Sequence, residues 1–234
     1  MLFNTKGHSF EREIIMLNVR WYLSYKLSYR DLKEMAAERG LEVNHTTIYR
    51  WVIKFTPELE KAVRLLKQPA GKSWRLDETY IKVKGQWKYL YRAVDKEGNT
   101  VDYLLTAKRD RKAAKRFICK AIGSNEEPIK INIDKSGANT AGINDYNGDE
   151  GIDIEIRQNK YLNNIIEQDH RPIKQLCRAT LGFKTFRTAM ITIGGFEVVR
   201  MIRKRQIKGE GKTSAEIFYS MAACYLANPD DLSL

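Results

Sequence analysis

Three acidic side chains stand where carboxylates can do chemistry. Asp77 lies inside WRLDETY, residues 74–80, a stretch that reads as a strand. Side chains alternate along a strand, so Asp77 shares a face with Thr79, Ile81 and Val83, and Glu78 is expected to point outward. An acid on an apolar face is costly to bury without a partner or a metal. Asp134 closes the apolar run KINID. Strand ends are where α/β sheets commonly present ligands and catalytic groups, although an Asp there also serves as a turn former or helix cap. Glu167 falls in a helical stretch with His170, Arg171 and Lys174 at offsets of three, four and seven. Such a face could bring one carboxylate to a metal and several donors to phosphates, and a solvated polar face has the same pattern. Asp169, rotated from Glu167 by roughly 200° on an ideal helix, is the second choice for a third acid.

The residue types restrict the metal. Cys119, Cys177 and Cys224 form no CxxC pair, and His8, His45 and His170 are equally scattered. A structural zinc site and a disulfide framework are not expected, and a reducing cytoplasm is the natural compartment. A metal held here is a hard cation on carboxylate oxygens, because the soft ligands are missing. The 234 residues include 41 Lys and Arg against 29 Asp and Glu, a net charge of +12. That excess calls for a polyanionic partner, and no stretch approaches the roughly 18 apolar residues of a spanning helix. Nucleic acid is the expected partner and a membrane is not. Residues 157–212 hold 13 Lys and Arg against 4 Asp and Glu, so a large part of the excess sits there.

The elements that must position these groups follow from periodicity. Residues 14–25 read as a helix, 29–39 as a second capped by Ser28, and 44–55 as a third capped by Asn44 or His45. Gly40 ends the second. Helix, short Gly-containing turn and polar, basic helix is a helix-turn-helix pattern, whose last helix can lie in the major groove. Thr46, Thr47, Tyr49, Arg50 and Lys54 are the candidate DNA contacts on it. Residues 57–70 read as a helical connector. From Trp74 the period becomes two, giving strands at 74–84, 86–95 and 100–107, then a helix at 110–122 and a strand at 129–133. A polar, loop-like stretch of weak helical character follows to Gly151, then a strand at 152–156 and a helix from Tyr161, in which Pro172 is expected to produce a bend. A further helix spans 188–208. Trp87 and its aromatic neighbours are expected in the core, with base stacking as the alternative.

The chain resembles the DDE transposases and retroviral integrases with a ribonuclease H-like core. More narrowly, it is similar to the insertion-sequence transposases of family six. The words that carry the likeness are LSYRDL (27–32), TTIYRWV (46–52), WRLDETYIKVKGQWKYLYRAVDKEGNT (74–100), KYLNNIIEQDHRPIK (160–174), LGFKTF (181–186) and GGFEVVRMIRKRQ (194–206). Residues 135–140, KSGANT, depart from the family's words. The resemblance implies an α/β fold: an N-terminal all-α helix-turn-helix region (1–68), a ribonuclease H-like mixed-sheet domain (72–208) and a C-terminal tail (209–234). It implies Asp77, Asp134 and Glu167 as the catalytic and metal-holding triad, with two Mg²⁺ or Mn²⁺ ions. Lys174 matches the family's basic residue near the site, and His170 and Arg171 are further candidate DNA contacts. The implied partners are double-stranded DNA and further copies of the chain, a homodimer or larger. The rival expectations are a repressor that binds DNA without cutting it and a nuclease that cuts without joining.

Overall fold

The computed structural model describes residues 10–209 and 211–227; the outermost parts of the expected first and last regions lie outside these. The element order is α1 (Arg12–Ser24), α2 (Tyr29–Ala37), α3 (His45–Leu66), β1 (Ser73–Val83), β2 (Gln86–Asp95), β3 (Thr100–Thr106), α4 (Arg111–Gly123), β4 (Lys130–Ile133), α5 (Gly137–Glu150), β5 (Glu155–Gln158), a 3₁₀ turn (Lys160–Asn163), α6 (Asn164–Ala179), α7 (Phe186–Arg203) and α8 (Ser214–Ala227). No helix among the described residues is long and apolar enough to cross a membrane.

Two compact units result. One is Gln68–Lys174; the other joins the chain up to Lys67 with the chain from Gln175 onward. The domain ends expected at 72 and 208 therefore differ from the packing. Residues 175–208 cluster with the N-terminal helices because twelve residues of α7 are buried, Ala189 and Ile191 to Val199 among them, and a helix buried on most of its circumference must be surrounded. The segment beyond 208, expected as a tail, holds α8, whose Ile217, Phe218, Met221 and Ala222 are buried.

In the helical unit, Ser28 and Asp31 exchange hydrogen bonds in a capping box at α2, and Asn44 accepts from the Thr46 N–H at the start of α3. Gly40 takes φ +71° in the turn between them. The third helix continues past the expected end at 55, through Pro57 to Leu66. Its buried stripe, Ile48, Val52, Thr56, Leu59 and Val63, runs unbroken across the proline, so packing outweighs the one lost backbone bond.

The sheet unit has strand order β3-β2-β1-β4-β5, with β1, β2 and β3 antiparallel and β4 and β5 parallel to β1. This is the ribonuclease H-like arrangement that the resemblance implied. One face of the sheet packs on α4 and α5 around Trp74, Leu76, Tyr91, Phe117, Ile131 and Ile143. The stretch after Asp134 is a helix rather than a loop. Its signal was weak because few apolar residues mark its buried side, and it is held instead by close approach to α4. A Cβ added at Gly142 would stand 2.6 Å from Ala114 Cβ and 2.8 Å from the Lys115 backbone nitrogen. Arg111–Asp145 and Lys115–Asp149 ion pairs flank the crossing. Strand β5 begins at Glu155, later than expected.

The crossing yields a prediction of opposite signs on one helix. Gly142→Ala forces two helix backbones apart and is expected to destabilise the protein by about 1–3 kcal/mol. Gly148→Ala, with nothing within 4 Å of the added carbon, is expected to stabilise it by up to about 1 kcal/mol. Urea unfolding midpoints of the two variants decide it; equal shifts would refute the close-contact argument.

Candidate active site

Backbone register brings the acids together. Parallel pairing of β1 with β4 matches Ser73 to Lys130, Trp74 to Ile131 and Arg75 to Asn132. Asp77 and Asp134 each follow the last pair by two residues, so they arrive at the same level on neighbouring strands. One oxygen from each of Asp77, Glu78 and Asp134 lies within 4.8 Å of the others. Glu78 is a correction to the expected outward position. Its side chain is only 3% exposed and accepts from Arg109 Nε at 3.1 Å. Alternation does turn it to the other face, but that face is covered by helices, and Arg109 supplies the countercharge.

The cluster is electrostatically strained. Burial pushes the Asp134 carboxyl above its usual range, Asp77 and Glu167 push the same way, and Arg109 opposes them. Burial also raises Glu78, against the pull of Arg109. Among the described residues, Asp134 Oδ1 is buried with no hydrogen-bond partner. Three carboxylates and an orphaned buried oxygen are a donor set that fits a hard divalent cation, which would relieve both the repulsion and the missing contact.

Glu167 occupies the first turn of α6 and is exposed. It stands outside the close cluster, near enough for its charge to act on Asp134. The start of α6 is latched to the sheet: Asn132 Nδ2 of β4 donates to the Asn159 carbonyl and to Asn163 Oδ1. The helix turns Ile166, Asp169, His170 and Ile173 inward and leaves Glu167, Arg171 and Lys174 in solvent.

His170 is therefore removed from the candidate DNA contacts. It is 2% exposed and cannot reach a phosphate. Its Nε2 lies 3.1 Å from Asp77 Oδ2, and its Nδ1 lies 3.4 Å from Arg92 Nη1. A guanidinium only donates, so Nδ1 accepts and the ring proton sits on Nε2, donating to Asp77. Burial, Arg92 and Lys174 hold the ring below the usual imidazole range against the pull of Asp77, so it is neutral at physiological pH. Asp169, the second choice as third acid, is committed elsewhere. Its Oδ2 takes Arg92 Nη2 at 2.5 Å, and its carbonyl takes Arg92 Nη1 at 2.9 Å. Arg92 is opposite Asp77 in the β1–β2 register, which closes the set.

Of the helix-turn-helix candidates, Thr46, Tyr49, Arg50 and Lys54 are exposed on α3 and Thr47 is half-buried. Arg92 and Arg109, which pack against the acidic cluster and its surroundings, were not among the candidates from sequence, and Glu78 was placed outward.

Comparison with known proteins bears on the whole arrangement. Residues 71–206 match the family model DDE_Tnp_IS240, a DDE domain. The transposase for the insertion sequence-like element IS431mec of Staphylococcus aureus strain Mu50 is 39% identical over 84% of this chain and 87% of its own length. The Staphylococcus aureus transposase for insertion sequence element IS257 in transposon Tn4003 matches to the same extent. Among solved structures, the HTLV-2 integrase catalytic core domain in complex with magnesium, dimeric form, aligns with TM-score 0.46 at 18% identity, covering 66% of this chain and 99% of that one. The catalytic core domain of BIV integrase aligns with TM-score 0.45 at 17% identity, covering 69% and 98%. With a family model across more than half of its length and relatives at this identity over most of both chains, the chain belongs to the IS6-family DDE transposases of insertion sequences.

Proposed function

We propose that Asp77, Asp134 and Glu167 hold divalent metal, two Mg²⁺ or Mn²⁺ ions, and that the protein cuts DNA at the terminal inverted repeats of its element and joins the freed 3′ ends to target DNA. The observation that carries this reading is the level placement of Asp77 and Asp134 on β1 and β4 with an unsatisfied oxygen on Asp134. Bound divalent metal supplies activation of the attacking oxygen and stabilisation of the leaving one. In the first reaction, water adds to phosphorus and the bond to the 3′ oxygen breaks, leaving a 3′-hydroxyl and a 5′-phosphate. That hydroxyl then attacks a target phosphate and displaces the target's own 3′ oxygen.

The chain's residues divide the remaining work. The Nε2 proton of His170 fixes one oxygen of Asp77 and turns the carboxylate toward Asp134. Both ring nitrogens are engaged, so His170 is a positioning residue and not the base. Arg109 balances Glu78 and keeps a second buried charge tolerable beside the acids. Arg171 and Lys174, exposed along the face of α6 that carries Glu167, bind backbone phosphates. The N-terminal residues Thr46, Thr47, Tyr49, Arg50 and Lys54 contact the terminal repeats. Two copies act together in the cytoplasm, because two ends must be handled in one event.

A supercoiled-plasmid joining assay with Mg²⁺ tests the reading. Wild type gives joined products, and Asp77→Ala and Glu167→Gln give none. DNA binding without cutting by every form would leave a repressor, and cutting without joining would leave a nuclease.

A further inference from the structure

The β1–β2 hairpin outruns the helices that cover it. On one face, Leu76, Tyr91 and Ala93 are buried, and Tyr91 stacks on Phe117 of α4 at 5.9 Å. From Tyr80 outward the same face is open. Cross-strand pairs Tyr80–Tyr89 and Lys82–Trp87 set its composition. Tyr80 is 53% and Trp87 60% exposed, although Ile81 and Val83 on the reverse face are buried. Tyr80 meets Trp87 edge to face at 6.2 Å and lies against Tyr89 at 5.3 Å. Lys82 Nζ stands 5.9 Å from the Trp87 ring centre. The core placement expected for Trp87 is thus corrected.

The turn adds an independent observation. Lys84 and Gly85 take φ +49° and +75°, the left-handed pair of a two-residue type I′ turn. Asn or Gly sits there without strain, and a lysine does not. The strain places one more cation at the tip. Residues 79–91 contain three lysines and no acid.

A partner for this surface must offer both negative charge and free aromatic faces. Duplex bases are stacked on one another and offer none along their length. Unpaired nucleotides offer both. Tyr80 is two residues from Glu78 on the same strand, about 7 Å along β1. We infer that Tyr80, Lys82, Lys84 and Trp87 form a platform for unpaired nucleotides of the DNA strand processed at the acidic cluster. The inference rests on the reading of DNA as substrate, and its test needs no catalysis.

The full-length protein in EDTA is titrated with a labelled oligothymidylate and with a duplex of the same strand length. Trp87→Ala is expected to weaken binding of the oligothymidylate about tenfold, the scale of one lost base stack, and of the duplex less than about twofold. Trp87→Phe keeps most of the affinity. Lys82→Ala with Lys84→Asn lowers the salt dependence of oligothymidylate binding by about one to two in logarithmic slope. Lys84→Asn alone keeps or raises the melting temperature, so any loss of binding is loss of charge. Unchanged oligothymidylate affinity in Trp87→Ala, or equal loss on the duplex, overturns the platform. So does a shift in self-association of Trp87→Ala by sedimentation without a change in DNA binding, which makes the face an interface between copies. Plasmid joining by a wild type that ignores oligothymidylate overturns the platform and leaves the transposase reading standing; oligothymidylate binding without joining does the reverse.

Discussion

Asp134→Asn is expected to lower strand transfer by about a thousandfold or more, the rate equivalent of losing several kcal/mol of metal-assisted charge stabilisation. The same substitution should raise the melting temperature of the metal-free protein. The two effects share a cause. Burial and the neighbouring Asp77 hold the folded Asp134 carboxyl above its ordinary pKa. A carboxyl raised in this way favours folding at pH below its unfolded value, and that contribution disappears as pH rises through the folded value. Once ionised, Asp134 therefore works against the metal-free fold. Asparagine fills the same volume without the charge. Differential scanning fluorimetry in EDTA should show the melting-temperature gap between Asp134→Asn and wild type widening as pH rises above about 4, the ordinary Asp value. Added Mn²⁺ should raise the wild-type value and leave the variant nearly unchanged. A variant that melts below wild type at neutral pH in EDTA would contradict the electrostatic account of the cluster, and one that still joins DNA would remove Asp134 from the site.

The second large effect concerns stability. Arg92→Met is expected to cost about 3–5 kcal/mol, because it removes the cationic member of a buried ion pair with Asp169. Arg92 is 1% exposed and Asp169 is 7% exposed, so water cannot replace the lost contact. Domain stabilities run to about 5–15 kcal/mol, which makes this one substitution a large fraction of the whole. Arg92→Lys should fail to rescue, since the guanidinium reaches the Asp169 carbonyl and the His170 ring nitrogen with Nη1 and the Asp169 carboxylate with Nη2, a two-nitrogen fork that a shorter side chain with one nitrogen does not reproduce. The double variant Arg92→Met, Asp169→Leu should recover most of the unfolding midpoint in urea, because the buried charge has gone from both sides. It should not recover joining, because His170 then has no donor on Nδ1 and no reason to keep its proton on the nitrogen facing Asp77. A double variant as unstable as the single one would show that packing, not charge, holds this part of the protein.

Much of this was legible in the residues, for physical reasons that differ by element. Helix α2 announced itself through Ser28, an N-cap residue that needs no tertiary context, to which the structure adds Asp31 as the other half of a capping box. The strands showed as alternation. Helix α5 showed only as weak helical character, because what stabilises it is Gly142 against α4, a contact between segments far apart in the chain. The inward role of His170 left a trace that was not used. Ile166, Asp169, His170 and Ile173 fall at spacings of three and four, an inward stripe with two polar members that must find partners inside. One of those partners was also recoverable. A two-residue turn at Lys84–Gly85 pairs Val83 with Gln86, and counting back along both strands pairs Asp77 with Arg92. An arginine in the apolar run YLYRAV, opposite a suspected ligand, marks a buried countercharge. Glu78 was not recoverable. Alternation assigned it correctly to the other face, and only the covering of that face decides between solvent and burial.

The length of the β1–β2 hairpin has an evolutionary consequence. Between Asp77 and Arg92 the chain has no slack: each intervening residue is paired or belongs to the turn. A codon gained or lost within one strand would invert the side chains beyond it and carry Arg92 to the wrong side of the sheet. Descendants of this element can therefore vary the letters of the hairpin far more readily than its length, and a lineage carrying a single-codon indel there should be drifting toward a pseudogene.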